Sequence, residues 1–517
     1  MLRLSSLAGI LAILALAWAC SRDRRRVSWR VLAWGLGLQV VFALLILHTP
    51  PGRWLFEIIN DAFAAVTGYA TRSAGVVFGD GGSLSMAGIL AVQIAAIIIF
   101  FASLMGVLYH LGVMQRVVQG AAWIMARTMG TSGAESLACA SNVFVGMTEA
   151  PLLVRPYLAT LTESELMALM TGGFATIAGT VMALYVGFGA EAGHLLTAGV
   201  MSAPGAFVIA KLLVPETETP RTLGTVRLNV ERTTVNVVDA AATGAADGLR
   251  LALNVTAMLL AFIAILYLID GLLALADRGV ATVLGVSPRG WSLAGLLGLL
   301  FRPFAWVMGV RPEDASALAS LLGTQVAANE LFAYQRLTSL AGETCAVGTG
   351  LLQEIAPRTF VVATYALCGF ANVGSIAIQI GGIGSLVPER RGDLARLGPR
   401  AMAAGALACW LTACVAGLLL TDDRETWSYE RLLVRKQVEA GRIAEAAETA
   451  HRMASSLAGT DWEEPSLRLR ESMERARAAE AALAAGRADE ARALLAPLAA
   501  QSDLPALRRW AEQRLAP

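Results

Sequence analysis

The sequence predicts an all-α polytopic membrane protein with eight transmembrane helices, two re-entrant helical hairpins and a soluble α-helical domain at its carboxyl terminus. Of the 517 residues, 56% are hydrophobic and only 16% are charged, whereas soluble domains carry about 25% charged residues. Apolar runs of about 17 to 25 residues, the length that crosses a bilayer, recur as far as Leu420. Beyond that residue the composition changes to Arg, Glu and Ala.

Composition also excludes several classes of function. The net charge is +1, so the chain offers no strongly basic surface for nucleic acid. The six cysteines form no C-x-x-C pair, which indicates buried thiols and not disulfides or metal ligands. The sequence has no glycine-rich phosphate loop for ATP. We therefore expect no enzyme and no organic cofactor.

The predicted spans are the longest apolar runs. They cover residues 4–20, 31–47, 86–108, 166–186, 195–214, 251–269, 360–380 and 401–420. Arginines follow the first run, whereas a signal peptide has its positive charge before the apolar stretch; this order predicts a helix that enters from outside. Residues 50–85 predict an external segment with a short interfacial helix. Residues 111–129 are amphipathic and predict a helix along the inner membrane surface.

Two apolar blocks are too interrupted by glycine and proline to be simple crossings. The first surrounds Gly146 and Pro151, and the second covers residues 292–335. Basic residues are concentrated in segments predicted inside, which are residues 22–30, 211–232 and 390–400. This distribution agrees with the positive-inside rule only if each block returns to the side it left. Both blocks are therefore predicted to be re-entrant hairpins, and the carboxyl-terminal domain is predicted to lie outside.

The two halves share a pattern in which a re-entrant carboxylate precedes a broken helix. Glu149 is followed by Gly-Phe-Ala-Thr at 173–176, and Glu330 is followed by Gly-Phe-Ala-Asn at 369–372. An ionisable residue within a membrane is by default a functional-site hypothesis. Interrupted segments at matching positions of two halves indicate a transporter's midplane binding site. The sequence therefore predicts an inverted repeat with a site between the halves.

Four long motifs resemble the concentrative nucleoside transporter family. They are residues 142–157 (NVFVGMTEAPLLVRPY), 163–185 (ESELMALMTGGFATIAGTVMALY), 323–334 (GTQVAANELFAY) and 365–384 (YALCGFANVGSIAIQIGGIG). The resemblance implies a homotrimer in the lipid bilayer of the cytoplasmic membrane. It also implies cation-driven import of nucleosides by an elevator-type movement. We accordingly expect a scaffold at 1–129, a transport core at 130–424 and the soluble tail at 425–517.

The resemblance implies a substrate site residue by residue. The matching positions are Met147, Thr148, Glu149 and Val181 at the base and Glu330, Phe370, Asn372 and Ser375 at the sugar. Carboxylate, amide and hydroxyl groups suit vicinal sugar hydroxyls, each of which donates and accepts. Met147 stands where the family has glutamine, and a thioether cannot replace an amide. Base preference therefore stays open, and a modified nucleoside or another nucleoside-like solute is an alternative.

The positions that match the family's sodium site are Asn142, Val145, Thr176 and Ile177. Side-chain oxygens and carbonyls freed at a broken helix are the usual cation ligands of transporters. The retained hydroxyl of Thr176 favours sodium as the coupling ion. A proton on a buried Glu149 or Glu330 is the alternative.

The tail repeats a short turn, with AGRIAEA at 440–446 and AGRADEA at 485–491. The turn is similar to those of tetratricopeptide-like hairpins, but two copies 45 residues apart fall short of three repeats with a period of about 34. An interaction domain with a protein partner and a solvated helical tail both remain open. A membrane scaffold or sensor that uses this tail is an alternative to transport. The retained Glu149 and Glu330 favour transport, because a scaffold needs neither.

Overall fold

The computed structural model describes residues 2–79, 90–223, 234–288, 290–340, 345–347, 350–352, 355–460, 462–502 and 504–515. These residues are mostly helical, which confirms the predicted all-α class, with two short paired strands, β1 (Cys345–Val347) and β2 (Gly350–Leu352). The chain forms two compact units. The first comprises Met1–Thr338, Ala346–Leu352 and Val362–Leu419, and the second comprises Ser339–Cys345, Gln353–Val361 and Leu420–Pro517.

The amino-terminal segment consists of helices α1 (Leu2–Ala19), α2 (Trp29–His48), α3 (Pro50–Phe78), α4 (Leu90–His110) and α5 (Val113–Met129). Helix α3 corrects the sequence interpretation, because its 29 residues replace the short interfacial helix predicted within 50–85. The Thr49 hydroxyl accepts a hydrogen bond from the Gly52 amide at 3.1 Å, and prolines occupy the first turn. A hydroxyl cap followed by proline is a strong helix start. Helix α5 coincides with the predicted amphipathic segment.

The first half of the core contains α6 (Gly133–Asn142), α7 (Ala150–Leu153), a 3-10 turn (Arg155–Thr160), α8 (Glu163–Ala175), α9 (Gly179–Phe188) and α10 (Ala192–Leu213). The predicted span 166–186 is thus two helices, α8 and α9, which residues 176–178 separate. Helices α6 and α8 each begin with a capping box, in which the cap and the third residue satisfy each other's free amides.

A buried polar cluster anchors the base of the first hairpin. The Ser132 hydroxyl donates to Glu165 Oε1 at 2.5 Å, which joins the starts of α6 and α8. The Lys211 ammonium of α10 pairs with Glu135 Oε2 at 2.7 Å. Moving the hairpin base away from α8 and α10 would break these contacts and leave a buried charge uncompensated, which is costly. The contacts therefore hold the hairpin base against α8 and α10.

The second half contains α11 (Val237–Leu284), α12 (Leu293–Val307), α13 (Ala315–Ala327), α14 (Glu330–Ser339), α15 (Pro357–Ala366), α16 (Val373–Leu386), a 3-10 turn (Pro388–Arg390) and α17 (Arg391–Leu419). The predicted span 251–269 lies inside α11, whose 48 residues correspond to a length of about 72 Å. The predicted span 360–380 is divided between α15 and α16, which residues 367–372 separate. Helices α13 and α14 lie in the block predicted as the second hairpin, and the Arg336 guanidinium of α14 donates to the Thr324 hydroxyl of α13 at 2.7 Å.

Helices α4 and α11 pack together through glycines. A Cβ at Gly106 would lie 2.7 Å from the Ala240 carbonyl oxygen, and one at Gly248 would lie 2.8 Å from the Ala102 Cβ. Gly244 and Gly248 form a G-x-x-x-G pattern, which lets membrane helices approach closely. Helix α11 is therefore paired with the amino-terminal segment.

In the described part of the chain, six helical segments are long and apolar enough to cross a membrane, and one of them, Glu163–Phe188, comprises α8 and α9. The six segments are Leu2–Ala19, Trp29–His48, Ala91–His110, Glu163–Phe188, Ala192–Leu213 and Pro388–Leu419. These helices confirm a multi-pass membrane protein. The count of eight crossings, the outside position of the tail and the division into scaffold and core stay predictions.

The second unit contains α18 (Asp422–Glu439), α19 (Ile443–Ser456), α20 (Glu463–Ala484), α21 (Ala488–Gln501) and α22 (Pro505–Leu515). The repeated turns place Gly441 and Gly486 between paired helices, each with a φ of +73° that favours glycine. Consecutive helices pack together and α22 returns to α18, where Arg509 pairs with Glu439 at 3.2 Å. The tail is thus two helical hairpins closed by a fifth helix.

Candidate functional site

The tip of the first hairpin lies against the break between α8 and α9. Gly146, at the tip, has a φ of +101°, and a Cβ there would lie 2.9 Å from the Ala178 Cβ. Only glycine fits this conformation and this approach. The Gly179 amide donates to the Phe144 carbonyl oxygen at 3.1 Å, so the hairpin tip satisfies a backbone group at the start of α9.

Two of the residues predicted for the cation site meet at this break. The Thr176 hydroxyl lies 2.8 Å from the Gly172 carbonyl oxygen and 3.1 Å from the Asn142 carbonyl oxygen, to which it donates. The Asn142 side chain is 1% exposed, and its Oδ1 atom has no hydrogen-bond partner among the described residues. Leaving a buried carbonyl unpaired costs about 1–3 kcal/mol. This free oxygen belongs to the residue whose main-chain carbonyl contacts the Thr176 hydroxyl, and oxygens of this kind fit a hard cation.

The other two predicted cation-site residues flank this pair. The Val145 amide donates to the Ser141 carbonyl oxygen at 2.9 Å, so Val145 continues the end of α6. Ile177 is buried in the unwound segment directly after Thr176. Both apolar side chains can contribute only backbone oxygens to a cation.

The residues predicted at the base differ in their burial. Met147 is buried, whereas Thr148 and Glu149 are exposed. Thr148 packs against α16, since a Cβ at Gly382 would lie 3.2 Å from its Cγ2 atom. Glu149 lies within electrostatic range of Tyr109 in α4 and Asp247 in α11.

Val181 is buried in the first turn of α9. It follows the break that carries Thr176 by less than two helical turns. The structure therefore places this apolar side chain on the element that the hairpin tip contacts. Its predicted contact with a base stays a prediction.

The residues predicted at the sugar form one buried network. Asn372 Nδ2 donates to Glu330 Oε2 at 2.8 Å, and Asn372 Oδ1 accepts from the Ser375 amide at 2.8 Å. Asn372 is the N-cap of α16, and hydrogen bonds at both its Nδ2 and its Oδ1 atom fix the orientation of its side chain. The Tyr185 hydroxyl lies beside the Glu330 carboxylate without meeting hydrogen-bond geometry. Phe370 is half-buried in the unwound segment before this network.

Two residues that the sequence analysis did not identify close the second break. Gln325 Nε2 donates to the Leu367 and Gly369 carbonyl oxygens at 3.1 Å and 2.8 Å. The Cys409 thiol of α17 lies 3.1 Å from the Cys368 carbonyl oxygen and 3.3 Å from that of Ala175, at the end of α8. Backbone groups freed in a broken membrane helix need such partners. The sequence signal for Gln325 is a polar side chain, next to Thr324, within an apolar block.

Three family models match consecutive parts of the chain. The amino-terminal model of the Na+ dependent nucleoside transporters matches residues 8–81, and their carboxyl-terminal model matches residues 194–417. A nucleoside recognition model named Gate matches residues 91–192. The matched residues end before α18.

Curated relatives have similar sequences over most of the chain. Sodium/nucleoside cotransporter 2 of Rattus norvegicus is 40% identical over 422 residues, which cover 81% of this chain and 63% of the relative. Sodium/nucleoside cotransporter 1 of Homo sapiens is 41% identical over 425 residues, which cover 81% of this chain and 64% of the relative. The chain thus spans less than two thirds of the length of these relatives.

Solved structures of the protein CNTnw have a similar fold. CNTnw in an inward-facing substrate-bound state is 39% identical, with a TM-score of 0.72, and the match covers 81% of this chain and 98% of that one. A variant of CNTnw in an outward-facing state is 38% identical, with a TM-score of 0.72 and the same coverage. The predicted resemblance is confirmed, and the chain belongs to the family of Na+ dependent nucleoside transporters, which are transporters and not enzymes.

Proposed function

We propose that the chain is a sodium-coupled symporter that imports nucleosides across the cytoplasmic membrane. The observation that carries this proposal is the buried network of Glu330, Asn372 and Ser375 at a broken helix. Such a network offers a carboxylate acceptor, an amide and a hydroxyl to one small polar solute. The relatives described as sodium/nucleoside cotransporters support a nucleoside as that solute.

The sugar end of the site provides selectivity for ribose. Vicinal hydroxyls each donate and accept, and the Glu330 carboxylate can accept from both of them. A solute that lacks one hydroxyl leaves a buried group unpaired, at a cost of about 1–3 kcal/mol. Such a cost corresponds to a loss of about 5- to 150-fold in affinity, so a deoxy-sugar binds more weakly than ribose.

The base end of the site is less specific. Met147 is buried and offers no amide, so recognition there depends on shape and on the neighbouring Thr148, Glu149 and Val181. Methionine is soft and adapts to flat rings. A modified nucleoside is therefore within the range of solutes that this end can accept.

The cation site comprises the Asn142 and Thr176 side-chain oxygens, with backbone oxygens at Val145 and Ile177. Neither an amide nor a hydroxyl titrates near neutral pH, which favours sodium over a proton at this position. A bound cation at the break contacts the same hairpin whose tip carries Met147 and Thr148. Coupling follows because each ligand changes the free energy of binding the other through this shared element.

Elevator-type movement within a homotrimer is part of the proposal. CNTnw is described in inward-facing, outward-facing and intermediate states. Because α11 pairs with α4, we assign α11 to the static scaffold and the two hairpins with their broken helices to the moving part. Exposed Leu260 and Leu268 of α11 suit contact with lipid or with another copy of the chain.

We further assign α18–α22 to an interaction domain on the outer face of the membrane. A core of its own, in which Trp427 and Trp462 stack with ring centroids 5.3 Å apart, supports a folded module over a solvated tail. This module adds to transport and does not replace it.

Uptake into proteoliposomes tests the proposal. Purified protein is reconstituted, and accumulation of labelled uridine and adenosine is measured under inward sodium or proton gradients imposed separately. We expect a sodium gradient to drive accumulation of at least one of them. If neither gradient drives accumulation of any nucleoside, the proposed function is wrong.

A further inference from the structure

Gln379 lies on α16 between the two ends of the proposed site. Its side chain is 1% exposed, and its Nε2 atom donates to the Met170 carbonyl oxygen of α8 at 3.0 Å. Its Oε1 atom is buried and has no hydrogen-bond partner within the ranges that the structure describes. Ser375 of the sugar network precedes it by one helical turn, and residues four apart share a helix face.

The neighbour of Gln379 on its other side is the hairpin tip. A Cβ at Gly173 would lie 2.7 Å from Gln379 Nε2 and 2.8 Å from the Met147 Cβ. Glycine at 173 therefore lets both side chains converge on one point of α8. One turn further along α16, Gly382 faces Thr148. Gln379 thus belongs to the wall that adjoins the base-binding tip.

The orientation of the Gln379 amide follows from its hydrogen bond to the Met170 carbonyl oxygen. The Met170 carbonyl oxygen accepts only, so it requires the NH2 group of the amide. Exchanging the amide oxygen and nitrogen would place two acceptors face to face. The atom of Gln379 that remains without a partner in the described residues is consequently the acceptor Oε1, and a buried unpaired acceptor is costly.

We propose that Gln379 is a specificity-determining residue that accepts a hydrogen bond from the nucleobase through Oε1. It thereby supplies the amide contact that Met147 cannot make. The ligands selected are nucleosides whose base carries an N–H donor, such as the exocyclic amine of adenosine or the N3–H of uridine. The inference rests on the proposed function and deepens it by naming the group on the base that is recognised.

Analogues that lack the donor test the proposal in reconstituted full-length protein. Adenosine is compared with purine riboside, which lacks the amine and adds no bulk, and uridine is compared with 3-methyluridine. We expect the ratio of Vmax/KM within at least one transported pair to favour the donor-bearing base by about tenfold or more. In Gln379→Met that ratio falls to near one, while the preference for uridine over 2′-deoxyuridine stays unchanged.

Two further variants separate recognition from packing. Gln379→Glu keeps an acceptor oxygen, and in the protonated form that burial favours its O–H group can donate to the Met170 carbonyl oxygen, so it should retain the discrimination. Gln39 is a matched control because it is also a buried glutamine. Its amide donates to the Met201 carbonyl oxygen at 3.0 Å, and its Oε1 atom has no hydrogen-bond partner in the described residues. It lies on α2, so Gln39→Met should lower stability without changing the base ratio.

The outcomes distinguish this inference from the function on which it rests. If the wild-type ratio persists in Gln379→Met while uptake continues, or if the wild type does not discriminate within either pair, Gln379 does not recognise the base and nucleoside transport still stands. If the wild type transports no nucleoside at all, both proposals fail. A ratio that falls equally in Gln39→Met would assign the effect to general loosening of the helices.

Discussion

The two broken helices share a Gly-Phe-Ala sequence, yet their polar groups are arranged differently. At the first break, Asn142 Oδ1 is buried without a hydrogen-bond partner in the described residues. At the second break, Gln325 Nε2 donates to the Leu367 and Gly369 carbonyl oxygens. The first break therefore offers a free acceptor, whereas the acceptors of the second are already paired with a donor of the protein itself.

The two hairpins carry a carboxamide at similar positions, but the two carboxamides have different hydrogen-bond partners. Asn142 is the last residue of α6, and Gln325 lies in the last turn of α13, so each hairpin places a carboxamide near the end of its first helix. The Gln325 amide group donates to two carbonyl oxygens freed at the second break, oxygens of the kind that bind cations in transporters. We infer that the first half binds the ion and that the second half is closed by its own amide.

The carboxylates of Glu330 and Glu149 also differ in whether they are paired within the protein. Glu330 is buried and bonded to Asn372, whereas Glu149 is exposed. The second half thus holds a fixed, oriented carboxylate at the proposed sugar site. The first half presents a carboxylate on the surface that faces α4 and α11.

The largest effect is expected from Glu330→Gln, which we predict to abolish nucleoside uptake. Hydrogen bonds to a charged group contribute about 1.5–3 kcal/mol each, so losing the charge that serves two sugar hydroxyls should reduce Vmax/KM by about 100-fold or more. Uptake is measured in proteoliposomes, and chemical cross-linking checks that the variant assembles as the wild type does. Glu149→Gln is the matched control, with a smaller reduction. Undiminished transport by Glu330→Gln would remove this residue from the sugar site.

Removing the free acceptor of the first break should weaken activation by sodium. In Asn142→Leu the cation loses its side-chain amide oxygen, so we expect the sodium concentration for half-maximal uptake to rise by about tenfold or more. Asn142→Asp retains an oxygen at that position and should keep sodium dependence. The measurement is uridine uptake against sodium concentration at constant ionic strength. An unchanged sodium response in Asn142→Leu would place the ion elsewhere.

Replacing the amide of the second break tests its structural role. Gln325→Leu leaves two carbonyl oxygens without a donor, which should destabilise the protein by about 2 kcal/mol or more. Gln325→Asn retains an amide donor without adding a charge and should be destabilised less than Gln325→Leu. Thermal unfolding in detergent reports the difference, and the Hill coefficient for sodium should stay near one in the wild type. Equal stability of the Leu and Asn variants would show that the amide is not needed at the second break, and a Hill coefficient near two would show that the second half also binds an ion.

The glycine and carboxylate pattern was sufficient to predict both breaks, whereas the grouping of Glu330 with Asn372 and Ser375 followed from the resemblance to the family. Gln325 and Gln379 escaped the analysis because each bonds to a backbone carbonyl more than 40 residues away, and a lone amide in an apolar run does not indicate its partner. The length of α3 was missed because glycines within residues 50–85 obscured a helix that packs against α2 and α4. Tertiary contacts override the low helix propensity of glycine.

The smallest effect is expected from Met147→Gln, which restores the amide that the resemblance implies. The new side chain adds two donors and one acceptor beside Gln379, so we predict a change of a few-fold, about 1 kcal/mol or less, in the ratio of adenosine to uridine uptake. Met147→Leu keeps an apolar side chain of similar volume and should leave that ratio unchanged. Competition between the two nucleosides for uptake measures both variants. An unchanged ratio in Met147→Gln would show that residue 147 does not face the base, and would leave Gln379 as the amide that does.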